Sequence, residues 1–250
     1  MNFEGGSVRL VRASAPEESG DYLAGLQFKI KEGWHIYWRY PGEVGLPTQA
    51  DFTNSTNLKD AKIYYPPPQT YFDGYSTSLV YKKEAFLPIR IERKNSYRPT
   101  LLNSSVNFGI CSKVCVPAFA NLSTVLPSTS TRDMKHDQLF YEALDKIPKP
   151  LGKEISRLIS TQIEGSGTNK LLLIKATVPQ GETTPELFVE GPPMSYHGIP
   201  KLLEVKNNIA TWSLPLTGFP QQKEKVEVRF TFSFEHSAFE MSKKIQMNPS

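Results

Sequence analysis

Short runs in which apolar and polar residues alternate recur about every ten residues along this chain, and they limit its fold more than any other feature. Alternation with period two is typical of a strand that buries one face. Proline and glycine, of which the chain has 20 and 16, supply many turns between the runs. The pattern predicts an all-β protein made of antiparallel sandwiches. The runs are SVRLVRAS, YLAGLQFKI, AFLPIRIER, SSVNFGI, FANLSTVL, ISTQIE, KLLLIKATV, ELFVE, PKLLEVK, IATWSLPL and KVEVRFTFSF.

One segment in the middle has a different period. In DMKHDQLFYEALDKI, apolar residues fall on one helical face, Ser and Thr precede the segment, and Pro148 ends it. We therefore expect two β-sandwich modules, at 8–128 and 165–250, joined by a short helical linker at 129–164. YYPPPQT is expected to be an edge strand or a connecting loop, since proline donates no ladder hydrogen bond. The three tryptophans, Trp34, Trp38 and Trp212, are expected in the cores.

Composition excludes several classes of protein. The 250 residues are 39% hydrophobic and 11% aromatic, enough for one large or two ordinary cores, so the chain is not disordered. The net charge of +4 is spread along the chain, and no basic stripe for nucleic acid is present. We find no apolar run of membrane-spanning length, no signal peptide, no catalytic triad and no phosphate loop. Neither a cofactor nor a bound metal is expected.

Cys111 and Cys115 are the only cysteines. Four extended steps would separate their Cα atoms by about 13 Å, whereas a disulfide requires roughly 4.4–6.8 Å. If they pair, the chain must reverse, with 112–114 as the loop of a tight hairpin. So small a closed loop stabilises the fold by only about 2 kcal/mol, against nearly 5 for a hundred-residue loop. This favours a switchable redox pair, although a quiet local staple and two free thiols or metal ligands remain open.

Four motifs around the cysteines carry a resemblance to a known family. In chain order they are GWHIYWRYPGEVGLPT, YYPPPQ, FDGYSTSLVYKKEAFLPIRI and GICSKVCVPA. Over roughly 8–128 this resembles the periplasmic N-terminal domain of the thiol:disulfide interchange protein DsbD. It also resembles the longer ScsB-like form of copper-tolerance-associated relatives. Later motifs, ELFVEGP and YHGIPKL, resemble the second β-module of the longer relatives.

The resemblance implies an immunoglobulin-like sandwich and a protein-disulfide reductase type of activity. Cys111 and Cys115 match the redox pair, which accepts electrons from a membrane-embedded domain, on the same or another native chain. The pair then passes them to periplasmic thioredoxin-like proteins. Tyr37 matches one of two aromatic residues on the cysteine face, where His35 is a departure at the other. The matched cap loop, which covers the pair until a partner docks, consists of Tyr71, Phe72, Asp73, Gly74 and Tyr75.

Two neighbours of the thiols have alternative interpretations. Lys113, or His35 in its cationic form, would stabilise a cysteine thiolate and so lower the pKa of the thiol. Lys113 is otherwise a solvated loop residue, and His35 a packed residue of the sandwich.

Two other functions remain open. One is a copper(I)-binding module that uses Cys111 and Cys115 with a soft or imidazole ligand nearby. Met194 and His197, in the other half of the chain, are candidates for that ligand. The other is a redox-silent β-sandwich that scaffolds an assembly.

Overall fold

The structure is a computed structural model that describes residues 1–151, 158–182, 185–193, 195–220 and 225–247. It is an all-β fold with one α-helix among the described residues, and the predicted fold class is confirmed. Contacts divide the chain into two compact units. The first unit contains Met1–Pro41, Gly45–Tyr71 and Ser78–Ile147, and the second contains Gly42–Val44, Phe72–Thr77 and Pro148–Ser250.

Two sheets form around the first core. The strands are β1 (Asn2–Phe3), β2 (Gly6–Arg12), β3 (Tyr22–Ile30), β4 (His35–Gly42), β5 (Gln49–Asp51), β6 (Leu58–Ile63), β7 (Gln69–Phe72), β8 (Thr77–Tyr81), β9 (Glu84–Arg93), β10 (Thr100–Cys111) and β11 (Cys115–Leu126). One sheet has the order β1-β2-β3-β9-β6. The other has the order β11-β10-β4-β8-β7, and β5 also pairs with β10.

The longest hairpin of the first unit is β10–β11. Its antiparallel register runs without a shift from Thr100↔Leu126 to Cys111↔Cys115. Alternation along β10 buries Leu102, Val106 and Phe108. Because the hairpin ends at the cysteines, its register brings the two thiols together.

The proline-rich segment YYPPPQT is, as predicted, part connecting loop and part edge strand. Residues 64–68 belong to no strand, and β7 begins at Gln69 as the edge strand of its sheet. The prediction of an edge or connecting segment is confirmed.

Of the tryptophans, Trp38 and Trp212 are fully buried, whereas Trp34 is only half-buried.

The helix α1 (Met134–Asp145) belongs to the first unit. The Asp133 side chain caps it by accepting hydrogen bonds from the backbone N–H of Lys135 and His136. Its buried face carries Phe140, whose ring meets that of Phe86 in β9 edge-on at 5.4 Å.

The second unit also contains two sheets, whose strand pairs are antiparallel except for one. Its strands are β12 (Lys149–Pro150), β13 (Leu158–Glu164), β14 (Leu171–Thr177), β15 (Glu186–Glu190), β16 (Lys201–Lys206), β17 (Ile209–Pro215), β18 (Lys225–Ser233) and β19 (Ala238–Gln246). The sheet orders are β12-β19-β18-β15 and β13-β14-β17-β16. β13 and β14 form a hairpin, with the 3₁₀-helix Gly167–Asn169 in its loop. Thus β13 pairs within the second unit although it lies inside the range 129–164 expected to be the linker.

The alternation predicted for the last run is confirmed, since one face of β18 and the residue that follows it points into the core. The buried residues are Val226, Val228, Phe230, Phe232 and Phe234.

In the described ranges, no helix is both long and apolar enough to cross a membrane.

Candidate functional site

The two cysteines form a disulfide at the tip of the β10–β11 hairpin. Cys111 is the last residue of β10 and Cys115 the first of β11, with a Cα–Cα distance of 4.1 Å. The three residues between them make the turn, in which Ser112 N–H donates to the Val114 carbonyl at 3.3 Å. The chain reversal that pairing requires is therefore observed.

The two sulfurs differ in their surroundings. Cys111 has an exposure of 0% and packs against Tyr37 and Val80, with Tyr71 beside them. Cys115 is exposed. The strand order explains this difference, because β10 lies between β11 and β4, whereas β11 is the edge strand of the sheet. Of the two cysteine residues, only Cys115 is therefore exposed to solvent in the described structure.

The Tyr37 hydroxyl lies against both sulfurs. Its oxygen is 3.1 Å from Cys111 Sγ and 3.2 Å from Cys115 Sγ. Disulfide sulfurs carry no proton, so the hydroxyl is the donor. Tyr37 is buried in β4, and its carbonyl accepts a 2.7 Å hydrogen bond from Thr48 Oγ1. The hydroxyl is therefore a fixed donor at the point where a thiolate forms on reduction.

Aromatic rings extend the site along the sheet. His35 is the β4 partner of Cys111, and it is buried. Its ring meets Tyr37 edge-on at 5.5 Å and Tyr71 at 4.6 Å. The Lys82 ammonium lies 4.3 Å from the centre of the Tyr71 ring, within cation–π range. His35 thus has the contacts of a packed ring in the sandwich.

A cleft of about 610 Å³ opens beside these rings. It has an aromatic side and a rim rich in lysine. The lining residues are Lys31, Glu32, Gly33, Trp34, His35, Tyr71, Lys82 and Lys83.

Within the predicted cap loop, only part of the segment is packed. Tyr71 is half-buried against the cysteine cluster, whereas Phe72 and Tyr75 are 64% and 97% exposed. Asp73 orders the turn by accepting hydrogen bonds from the backbone N–H of Ser76 and Tyr75, each at 2.8 Å. Those bonds hold the pKa of Asp73 below its usual value. Gly74 has φ +100, a conformation that favours glycine.

Lys113 lies exposed at the hairpin tip, as its loop position indicates.

The structure adds two residues that the motifs did not single out. Val80 and Lys82 join the site from β8 and the residue that follows it. No sequence pattern identifies them, because their contribution depends on β8 lying next to β4.

The structure describes three of the four ligands considered for copper. Among the residues that the structure describes, no three His, Cys, Asp or Glu side chains form a cluster that could hold a metal ion. His197 lies in the second unit, stacked on Phe219 at 4.5 Å, and Met194 is outside the described residues. Burial lowers the pKa of His197 to about 4, while a hydrogen bond to the Gly198 carbonyl opposes the shift.

Comparison with known proteins agrees with the resemblance found in the sequence. Residues 9–127 match the family model described as "Thiol:disulfide interchange protein DsbD, N-terminal". The match includes both cysteines, and it confirms the resemblance over the first half of the chain. No curated protein matches this sequence.

Among solved structures, the N-terminal periplasmic domain of ScsB from Proteus mirabilis has the same fold over nearly the whole length. The TM-score is 0.76 at 19% identity, covering 98% of this chain and 95% of that one. The reduced DsbD N-terminal domain of Neisseria meningitidis also matches, at 15% identity, covering 50% of this chain and 86% of that one. Its TM-score of 0.30 is too low to support a structural argument.

Proposed function

We propose that this chain, whose first half matches the DsbD N-terminal family, is a periplasmic thiol–disulfide exchange module. Its Cys111–Cys115 pair takes electrons from a membrane-embedded redox domain and delivers them to thioredoxin-like proteins, as a protein-disulfide reductase. The observation that carries this proposal is the asymmetric disulfide, with Cys111 buried, Cys115 exposed and one tyrosine hydroxyl in contact with both sulfurs.

The reaction follows from that asymmetry. In the reduced pair, the Cys115 thiolate attacks one sulfur of the partner's disulfide; a mixed disulfide forms and the partner's other sulfur leaves as a thiolate. Cys111, now as a thiolate, attacks Cys115 Sγ, restores the intramolecular bridge and releases the partner's second thiolate. Two electrons pass to the partner, and both of its sulfurs take up protons. The dithiol of the membrane-embedded domain reduces the bridge by the same steps in reverse.

Tyr37 supports the step that needs a thiolate. A hydroxyl that donates to a sulfur anion stabilises it and lowers the pKa of the thiol. Since one hydroxyl reaches both sulfurs, it serves Cys115 during attack on the partner and Cys111 during release. His35 and Lys113 are proposed to line the cysteine surroundings, His35 as a packed ring and Lys113 as an exposed cation.

We further propose that 71–75 is a cap that limits access to the pair until a partner docks. The support is its match to the family's cap loop and the contact of Tyr71 with the cysteine cluster. The exposed Phe72 would then be the residue that shields the sulfurs from small thiols.

Single-cysteine variants test the proposal. Cys111→Ser should trap a thioredoxin-like protein as a stable mixed disulfide through Cys115, because the resolving thiol is missing. Cys115→Ser, the matched control, should trap little, because Cys111 is buried. The mixed disulfide is read on a non-reducing gel and its linkage by mass spectrometry. Equal trapping by both variants, or trapping by neither, would refute the assignment of Cys115 as the attacking thiol.

A further inference from the structure

Tyr37 can reach both sulfurs only because two glycines leave room for its ring. A side-chain Cβ on Gly109 would lie 2.9 Å from Tyr37 Cδ2 and 3.1 Å from Leu46 Cβ. On Gly45 a Cβ would lie 2.2 Å from Tyr37 Cε1. Real Cβ atoms essentially never approach other heavy atoms within 3.0 Å, so either side chain would displace the ring. The ring therefore fills a slot with a glycine on each side.

The position of Gly109 explains why this slot lies beside the sulfurs. Gly109 and Cys111 are two residues apart in β10, so their side-chain directions share one face of the sheet. The Tyr37 ring covers Gly109 on that face, and its hydroxyl extends to Cys111 Sγ at 3.1 Å. Gly109 N–H also donates to the Leu46 carbonyl at 3.1 Å, which holds the loop after Gly45 close to the ring.

We infer that Gly109 and Gly45 are positioning residues, which set the reactivity of the cysteine pair by holding the Tyr37 hydroxyl against its sulfurs. This inference rests on the proposed exchange function, since it specifies how the thiolates of that site are stabilised. Gly45 has φ +127, so an alanine there adds backbone strain to the clash. Gly109 does not have a positive φ. An alanine at this position therefore tests crowding of the Tyr37 ring without added backbone strain.

The experiment compares Gly109→Ala with Tyr37→Phe and measures the pKa of the reacting thiol from the pH dependence of alkylation of the reduced protein. Loss of a hydrogen bond to a charged group is worth about one pKa unit or more. Tyr37→Phe should therefore raise the thiol pKa by about one unit, which is about a tenfold smaller thiolate fraction at neutral pH. Gly109→Ala should shift it in the same direction. In the Tyr37→Phe background, Gly109→Ala should add no further shift.

Gly25→Ala is the matched control for crowding. Gly25 lies in β3, and a Cβ there would meet the Phe86 ring at 2.3 Å, so this change also displaces an aromatic ring in a strand of the first unit. It should reduce the stability and leave the thiol pKa unchanged. An unchanged thiol pKa in Gly109→Ala, or equal shifts in Gly109→Ala and Gly25→Ala, would overturn the inference.

A stability measurement covers the case in which Gly109→Ala does not fold. In the Tyr37→Ala background the slot is empty, so Gly109→Ala should fold there and cost little in urea unfolding. Failure to fold in both backgrounds would also overturn the inference. Failure of the proposed function is distinguishable, because the wild-type protein itself would then not exchange with a thioredoxin-like protein, whatever its thiol pKa.

Discussion

Cys111 and Cys115 lie four positions apart, yet one is buried and the other exposed. The sequence predicts the turn between them, because pairing requires the chain to reverse. It does not predict their difference, which arises from the strand order: β4 lies on the far side of β10, whereas β11 is the edge strand of the sheet. The same limit applies to Tyr37, since the family resemblance places it on the cysteine face but only the structure shows one hydroxyl between two sulfurs.

A second residue-scale feature is His197, which is buried and has its pKa lowered to about 4. Because the unfolded pKa is about 6.5, the unfolded state binds more protons below that pH, and stability falls as the pH drops from 6.5 towards 4. Between pH 7 and 5 we expect a loss of about 2 kcal/mol in the free energy of unfolding. Urea unfolding at several pH values measures it. His197→Asn should remove this loss, and an identical pH profile for the variant would contradict the assignment.

At the scale of elements, the alternating runs could be predicted, whereas β4 could not. β4 is buried at nearly every position, so it has no period-two pattern to recognise, although it carries both His35 and Tyr37. The helix was recognisable because its period changes to 3.6 and its ends carry capping and terminating residues. What the sequence did not show is that α1 packs on β9.

One carboxylate anchors this helix. Asp137 is fully buried and accepts hydrogen bonds from Ser14 N at 2.6 Å and Ser14 Oγ at 2.7 Å, with Arg132 at 3.5 Å. Asp137→Asn should lower the free energy of unfolding by about 2–4 kcal/mol, because these are charge-assisted bonds to a buried group. The same change at the exposed Asp145, in the last turn, should stay within about 0.5 kcal/mol. Equal effects at the two positions in urea unfolding would refute the anchor.

The cap is the second element-scale prediction. Phe72→Ala should speed the reaction of the reduced pair with a small disulfide reagent, because the shielding ring is removed. Stability should change little, since Phe72 is exposed. Tyr97→Ala, which removes a similarly exposed ring in another loop, should leave the rate unchanged. If the rate with Phe72→Ala equals that of the wild type, the cap does not shield the pair, and the assignment of the cysteines is unaffected.

At the scale of the whole molecule, alternation and turn spacing are sufficient to predict an all-β chain. The division into modules at 8–128 and 165–250 stays a prediction, and β13 pairs with β14 although it lies in the range assigned to the linker. The packed exchange site lies in the first unit. Cys111, Cys115 and Tyr37 all belong to that unit, so exchange should not require the second core.

We therefore expect a fragment of residues 1–147 to fold alone, with a cooperative thermal transition. This fragment contains the whole first unit together with Gly42–Val44 and Phe72–Thr77 of the second. Its cysteine pair should have the same thiol pKa as in the full chain. The complementary fragment, 148–250, contains Trp212 and no cysteine, so its unfolding can be followed separately by fluorescence. An aggregated first fragment, or one in which the pair cannot be reduced, would contradict the independence of the first unit.

The central claim is that Cys111 and Cys115 form a reversible redox pair in the folded protein. The most direct measurement equilibrates the full chain in glutathione buffers of graded potential, alkylates the free thiols and counts the labels by mass spectrometry, with circular dichroism recorded alongside. We predict that both thiols are labelled together as the potential falls, that the bridge closes again on reoxidation, and that the β-sheet signal is unchanged throughout. Thiols that become labelled only when the protein unfolds, or a bridge that does not close again, would contradict the claim.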